Sequence, residues 1–346
     1  MKYNMDHLQQ DVSLSLHTTF RIGGKAKYFV LAKTVAEIKD AILFAQGKDL
    51  PFFVLGGGSN LLVSDDGFDG LVIKINIVGV EWKNVADGVE VTMGAGENWD
   101  DVVALSVERG LSGFENLSGI PGTVGAAPVQ NIGAYGREIK DTLSWVEVFD
   151  TKALSLCILK AEECRAGYRD SIFKTPEGKK YIVTRVACTL AKNVQPEISY
   201  KDVSIFFTKN SVISPSVLDV RNAVLSIRKE KLPDLALYGT AGSFFKNPVV
   251  SQEHFDSIKK KFPEIPFFDA PDNNKKIPAA WILDNICKYK GYRVGNVGVY
   301  KNQPLVIVNF GNATADEIKK LADEMCECVK KNTEINLMPE IVSLGF

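Results

Sequence analysis

The sequence Leu55-Gly56-Gly57-Gly58-Ser59-Asn60-Leu61 runs an apolar strand-like stretch into three consecutive glycines. Glycine tolerates positive φ and lets a ligand approach the backbone N–H groups closely. Successive amides then form an anion nest, and Ser59 and Asn60 add side-chain donors; such a nest suits a pyrophosphate. It is neither the GxGxxG dinucleotide fingerprint nor a P-loop, because no GK[ST] follows. A second glycine-rich segment, Gly119 to Gly136, is small, apolar and uncharged. It includes Ile120-Pro121-Gly122-Thr123 and Gly125-Ala126, a backbone that can lie flat against a large planar ligand. A long irregular stretch in a compact domain usually serves a function, and two glycine loops together point to a cofactor pocket. The competing reading of each loop is a tight turn or a buried connection.

Three further places could carry chemistry. Arg169 stands between Tyr168 and Asp170, where an ordinary surface ion pair is the competing reading. Ser243 follows the small residues Gly239–Gly242 and precedes two phenylalanines. A GxSxG elbow needs glycine two residues after the serine, but Phe245 stands there, so Ser243 is disfavoured as a nucleophile. A proton-donor role stays open. Glu340, in Met338-Pro339-Glu340-Ile341, is a carboxylate ahead of an apolar tail. With only three histidines in the chain, a His-dependent triad or metal centre is hard to build.

Elements must exist to hold these groups. Thr34…Glu37 and Thr314…Glu317 read as capping boxes ahead of helical apolar stripes. Asn98 caps a helix that carries Asp100 and Asp101 in its first turn and ends near Gly110. Ser214-Pro215 opens a helix with the stripe Val217, Val220, Val224, Ile227. Helices are also expected over 251–262 and 278–290. Strands are expected over 51–55, 71–75, 89–93, 143–150, 180–190 and 303–310, with a short strand or tail at 340–346. A change of pattern at 191–196 marks a domain junction. The fold class is α+β.

Composition narrows the options. The chain has 346 residues, enough for two or three domains. Its 41 Lys+Arg against 42 Asp+Glu give no basic field for nucleic acid or an anionic membrane. The N-terminal stretch lacks the apolar core of a signal peptide, and the uncharged run 116–136 holds five Gly and two Pro, which no regular membrane helix tolerates. Six cysteines show no CxxC pair and no zinc spacing. Reduced, indifferent thiols in a cytoplasmic protein without structural metal are expected.

Taken in order, HTTFRIGG (17–24), LGGGSNLL (55–62), GAGENW (94–99), the loop 119–136, ECRAGYRDSIFK (163–174), KLPD (231–234), GSFFKNP (242–248) and PEI (339–341) span almost the whole chain. This series resembles the MurB family, the UDP-N-acetylenolpyruvoylglucosamine reductases, in its longer, type I-like form. The resemblance implies an FAD-binding domain of the PCMH, or vanillyl-alcohol-oxidase, type over 15–192, its two subdomains dividing near 70–80. It implies a substrate-binding αβ domain over 193–335 and a C-terminal strand, 336–346, carrying Glu340. It further implies that NADPH as co-substrate reduces non-covalent FAD, which reduces the enolpyruvyl group of a UDP-sugar in peptidoglycan precursor synthesis. Arg169, Ser243 and Glu340 are the implied catalytic residues. Gly56, Gly57, Gly58, Ser59, Asn60, Leu61, Ile120, Pro121, Gly122, Thr123, Gly125 and Ala126 match the flavin-binding segments. Tyr200, Lys231, Asn247 and Gln303 match substrate contacts. Gly57 and Ala126-Ala127 stand where some relatives carry an acid and serines. No membrane or nucleic-acid partner and a monomeric state are expected. A flavin oxidase of the same fold and a non-catalytic nucleotide-sugar binder are the alternatives.

Overall fold

In the computed structural model, residues 7–346 are described; the first six residues of the stretch read for a signal peptide lie outside them. The chain forms two compact units, each assembled from separate segments.

The first unit takes the chain up to Val12, Ala26–Gly57 and Asp69–Lys229. One sheet has the strand order Gln9–Ser13, Lys25–Ala32, Phe68–Ile75, Phe52–Leu55. The last two run parallel, with Leu55 opposite Lys74, so the first glycine loop leaves from a paired strand end. The helix Val35–Gly47 starts in the expected capping box: Thr34 Oγ1 accepts the Glu37 N–H at 3.2 Å and Glu37 Oε2 accepts the Thr34 N–H at 3.0 Å. Two of the four orphan amides of a helix start are thereby satisfied. Its residues Ile38, Ala41 and Ile42 are fully buried.

A second, antiparallel sheet runs Ser155–Lys160, Leu143–Asp150, Tyr181–Lys192, Gly88–Gly94, Val80–Val85. Its central strand buries Ile182, Thr184, Val186 and Cys188, the period-2 set. The helix Trp99–Glu108 is capped by Asn98, whose Oδ1 accepts from Asp100 and Asp101 at 2.9 and 3.2 Å. The helices Lys201–Lys209 and Val217–Lys231 close a small core of Val203, Phe207, Val220, Ala223, Val224 and Ile227. The second helix starts later than Ser214-Pro215 predicts. Ser216 and Asp219 form the reciprocal cap instead, at 2.8 and 3.2 Å, because only that pair has the three-residue spacing the box requires.

The second unit joins Ser13–Lys25, Gly58–Phe68 and Glu230–Phe346. Its core gathers Phe20, Ile22, Leu62, Phe244, Phe245, Ile277, Ile282 and the stripe Ile318, Leu321, Met325, Val329 of the helix Ala315–Thr333. That helix has the second expected capping box, at 3.1 and 2.9 Å. Two other expectations need correction. Only Ile307–Asn309 of the 303–310 run is a strand, because Gln303 opens a turn closed by Val306 N–H at 3.0 Å. The predicted helix over 278–290 is a short α-turn, Ala279–Trp281, followed by a π-turn, Ile282–Ile286, which ends at Cys287. The wider turn accompanies full burial of both Ile282 and Leu283.

Uniformly reduced thiols also need correction. Cys287 and Cys328 are disulfide-bonded across a sequence separation of 41, with Cα atoms 6.1 Å apart. A pair formed by the end of a turn and the side of a helix leaves no local spacing to read.

Within the first unit, Asp100 links three elements. Its carboxylate takes a bidentate grip from Arg221 at 2.7 and 2.9 Å and accepts the Gly119 N–H at 2.6 Å. Burial alone would raise its pKa, but the Arg221 and Gly119 hydrogen bonds outweigh this and leave it below the ordinary value. A depressed folded pKa means the stabilisation is complete above the unfolded pKa of about 3.9 and disappears as pH falls through the folded one. Arg221→Ala is expected to cost about 2 kcal/mol at pH 7. The gap between variant and wild-type melting temperatures should narrow as pH falls from 5 to 3; a gap constant with pH would refute the assignment.

Candidate active site

In the first unit the two glycine segments meet. A Cβ on Gly57 would lie 2.7 Å from the Gly122 Cα, and one on Gly56 would lie 2.6 Å from Thr123 Oγ1. The loops are packed backbone to backbone, and a side chain at Gly57, such as the acid of some relatives, requires the Gly122 backbone to shift. The GAGENW segment supports the second loop: Gly125 N–H donates to Ala95 O at 2.8 Å, Val124 N–H to Glu97 O at 2.9 Å, and Trp99 N–H to Gly122 O at 3.1 Å. These amides are committed to the scaffold, so they shape the loop rather than face a ligand. Ile120 and Pro121 precede this braced turn, and Ala126 N–H closes it on Thr123 O at 3.0 Å.

Arg169 lies in the same unit. Its guanidinium donates to Gly133 O at 3.0 Å, and its own carbonyl accepts from Lys174 Nζ at 2.8 Å. Its φ is +53°, a left-handed conformation that a non-glycine residue holds only when its surroundings enforce it. Asn131, fully buried, supplies part of that enforcement by donating to Gly167 O at 2.9 Å and Glu138 Oε2 at 2.8 Å. Tyr200 caps the helix Lys201–Lys209, and its ring stands edge-on to Tyr135 with centroids 5.5 Å apart. Burial, the larger effect, pushes the Tyr135 hydroxyl up to about 12 and raises that of Tyr200 as well; both stay neutral near pH 7. Arg228 hydrogen-bonds Tyr135 and packs on Gly119, where a Cβ would be 3.1 Å from its Nε. Burial lowers the Arg228 pKa.

In the second unit Ser243 and Glu340 occupy neighbouring backbones. Ser243 bridges Val306, Phe245 bridges Pro339, and Glu340 N–H donates to Phe244 O at 2.8 Å. Both residues are half-buried. Gly242, at φ +74° with nothing within 4 Å of a built Cβ, opens the turn that delivers Ser243. Gln303 sits in the turn leading to Val306, on the same patch. The rest of the first glycine loop belongs here too. Gly58, at φ +66°, lies against the His17 carbonyl, where a side chain has no room. Ser59 follows it. Asn60 donates through Nδ2 to Glu340 O at 3.2 Å, and its carbonyl accepts Val342 N–H at 2.9 Å. This amide, expected as a pyrophosphate donor, therefore also tethers Glu340. Leu61 pairs in parallel with Val342. Asn247 Oδ1 accepts the Ala279 N–H at 2.9 Å, and Lys231 ends the helix Val217–Lys231.

Sequence reading overlooked Tyr135, Lys174 and Arg228. Tyr135 offered one signal, an aromatic residue enclosed by glycines at 133 and 136; in the structure its φ is +48°. Lys174 and Arg228 offered none, because their partners are distant in sequence or are main-chain atoms.

Residues 26–153 match a family model described as an FAD binding domain. Residues 234–344 match one described as the UDP-N-acetylenolpyruvoylglucosamine reductase C-terminal domain. A UDP-N-acetylenolpyruvoylglucosamine reductase of Flavobacterium johnsoniae is 41% identical over 336 residues, 96% of this chain and 98% of the relative. One of Pseudomonas aeruginosa is 40% identical over 334 residues, 96% and 98% of the two chains. The crystal structure of the reductase from Thermus caldophilus superposes with a TM-score of 0.67 at 28% identity, covering 97% of this chain and 99% of that one. The α+β chain with an FAD-binding domain and this C-terminal domain therefore belongs to the UDP-N-acetylenolpyruvoylglucosamine reductase family of flavin-dependent oxidoreductases.

Proposed function

We propose that this chain uses NADPH and FAD to reduce UDP-N-acetyl-3-O-(1-carboxyvinyl)-glucosamine to UDP-N-acetylmuramate, as a cytoplasmic monomer serving peptidoglycan precursor synthesis. The observation that supports the reading is the main-chain pairing of the Ser243 and Glu340 segments, which makes neighbours of the backbones that carry a hydroxyl and a carboxyl in the second unit.

FAD fits the residues of the first unit. The contact between Gly57 and Gly122 leaves a strip of backbone without side chains, as close approach of a flat, pyrophosphate-bearing group requires. Gly56, Gly57, Ile120–Thr123, Gly125 and Ala126 would hold it there, with Gly58–Leu61 continuing the loop. When bound, FAD supplies the hydride that it has taken from NADPH.

The chain's own residues handle charge and protons. Hydride arrival at the β-carbon of an unsaturated carboxylate moves negative charge onto the α-carbon and the carboxylate oxygens. Arg169 receives that carboxylate, because a guanidinium stays charged and grips two oxygens at once. Holding a fixed cation where charge develops is typically the largest catalytic contribution. Ser243 delivers the proton to the α-carbon. A serine hydroxyl is a weak acid, so Glu340, on the adjoining backbone, orients the charged intermediate or shares in its protonation. Tyr200, Lys231, Asn247 and Gln303 take the nucleotide-sugar portion. The Ala279 N–H fixes the Asn247 side-chain carbonyl oxygen at 2.9 Å.

Three experiments test this reading. The purified protein should be yellow, NADPH should bleach it under anaerobic conditions, and the enolpyruvyl UDP-sugar should restore the colour. Bleaching without restoration removes the reductase assignment. Ser243→Ala should leave bleaching by NADPH within twofold and slow recolouring at least 100-fold, as expected for loss of a proton donor; equal losses in both half-reactions would show that Ser243 is structural. Gly125→Ala, which sets a Cβ 2.6 Å from the Ala95 Cβ, should weaken FAD retention at least tenfold while the far-ultraviolet circular dichroism stays unchanged. Undiminished flavin affinity, measured by fluorescence titration, would remove the two-loop cradle.

A further inference from the structure

Four of the six cysteines are held as thiols. Burial pushes Cys188 up to about 12 and Cys164 and Cys326 each to about 11, and it also raises Cys157. A thiol so far above neutrality supplies almost no thiolate, the form that attacks disulfides. Cys287 and Cys328 differ from these four in being paired. They are bonded to each other, their Cα spacing of 6.1 Å needs no backbone movement, and both are only half-buried, within reach of a small reagent. Asn332, one turn beyond Cys328, donates Nδ2 to the Cys328 carbonyl at 2.8 Å and lies 3.6 Å from its Sγ.

The bond sits at a mechanically useful place. The helical stretch beginning at Ala279 is held at its start by Asn247, whose Oδ1 accepts the Ala279 N–H, and by Ile277 N–H on Pro248 O at 2.9 Å. Its far end is Cys287, whose N–H closes the π-turn on Ile282 O at 3.0 Å. One end therefore carries a residue assigned above to the nucleotide sugar. The other is linked to the long helix Ala315–Thr333.

We propose that Cys287 and Cys328 form a reversible thiol–disulfide site, and that its closure stiffens the stretch from Asn247 to Cys287 and tightens substrate binding there. The second half of this statement rests on the function proposed above. In closure, one thiolate attacks a sulfur of a low-molecular-weight disulfide and releases one small thiol. The second cysteine, on losing its proton, displaces the other small thiol from the mixed disulfide. The protein loses two electrons and two protons, and the reagent gains them. A dithiol reverses the sequence.

The test uses the FAD-loaded full chain equilibrated with glutathione disulfide or with dithiothreitol, then quenched in acid, denatured and alkylated. The oxidised sample should carry four alkylated cysteines and a cross-linked peptide joining 287 to 328; the reduced sample should carry six. It should also melt roughly 5 °C or more below the oxidised one. Six alkylated cysteines in both samples, or a cross-link elsewhere, would overturn the site. On the same preparations, bleaching by NADPH should be equal, and the KM for the enolpyruvyl UDP-sugar should be at least twofold lower when oxidised. Cys328→Ser should show the reduced KM in either buffer. Equal KM values would overturn the coupling to Asn247. If NADPH fails to bleach the flavin, the proposed function is at fault, and the alkylation count still decides the disulfide.

Discussion

The residues 338–344 form main-chain hydrogen bonds with two segments far away in sequence, and the second unit's candidate chemistry depends on this. On one side Lys246 N–H reaches Met338 O and Glu340 N–H reaches Phe244 O. On the other, Val342 N–H reaches Asn60 O and Ser64 N–H reaches Leu344 O. A bend at Ile341 lies between the two sets of bonds, so one short stretch turns from the serine segment to the glycine loop. Glu340 is fixed between them. Its carbonyl accepts from Asn60, and its amide is used by Phe244. A carboxylate on a freely moving tail would lack the positional precision that proton transfer demands.

The first unit solves a different problem, the positioning of a cation. Arg169 is held in a left-handed conformation of the kind that costs on the order of 1–3 kcal/mol. The Gly133 carbonyl, the Lys174 amine and the fully buried Asn131 all bear on its loop. Strain of this kind persists only where neighbouring groups overdetermine the geometry. Asn131 and Tyr135, in the segment that also supplies the Gly133 carbonyl, adopt positive φ as well. The stretch 119–136 that reads as a cofactor segment thus also grips the arginine.

Charge is used sparingly for stability. Asp100 holds a helix start, a second helix and the entrance of the glycine segment with one carboxylate. Its partner Arg221 is largely buried, so this pair is less screened than the exposed Lys–Asp and Arg–Glu contacts elsewhere. The same economy marks the capping boxes at Thr34 and Thr314, where a single residue pair satisfies two helix amides at once.

The local elements were legible because their signals lie within a few residues. Thr34 and Glu37, Thr314 and Glu317, Asn98 with its acidic first turn, and the stripes ending at Ile227 and Val329 all formed as read. The motif strings likewise marked the chain's family, because glycine backbones and their flanking side chains recur in fixed order. Misreadings arose where a competing neighbour decided: Asp219 drew the helix cap to Ser216, and the turn at Gln303 shortened a strand. What the sequence by itself determined was the capped helices, several of the strands and the residue types able to bind a flavin and move a proton. Only the tertiary structure decided that Asn60 tethers Glu340, that Lys174 and Asn131 brace the Arg169 loop, and that Cys287 meets Cys328. Those are contacts between segments tens to hundreds of residues apart or with main-chain atoms. No spacing rule encodes them; the packing of each unit as a whole creates them.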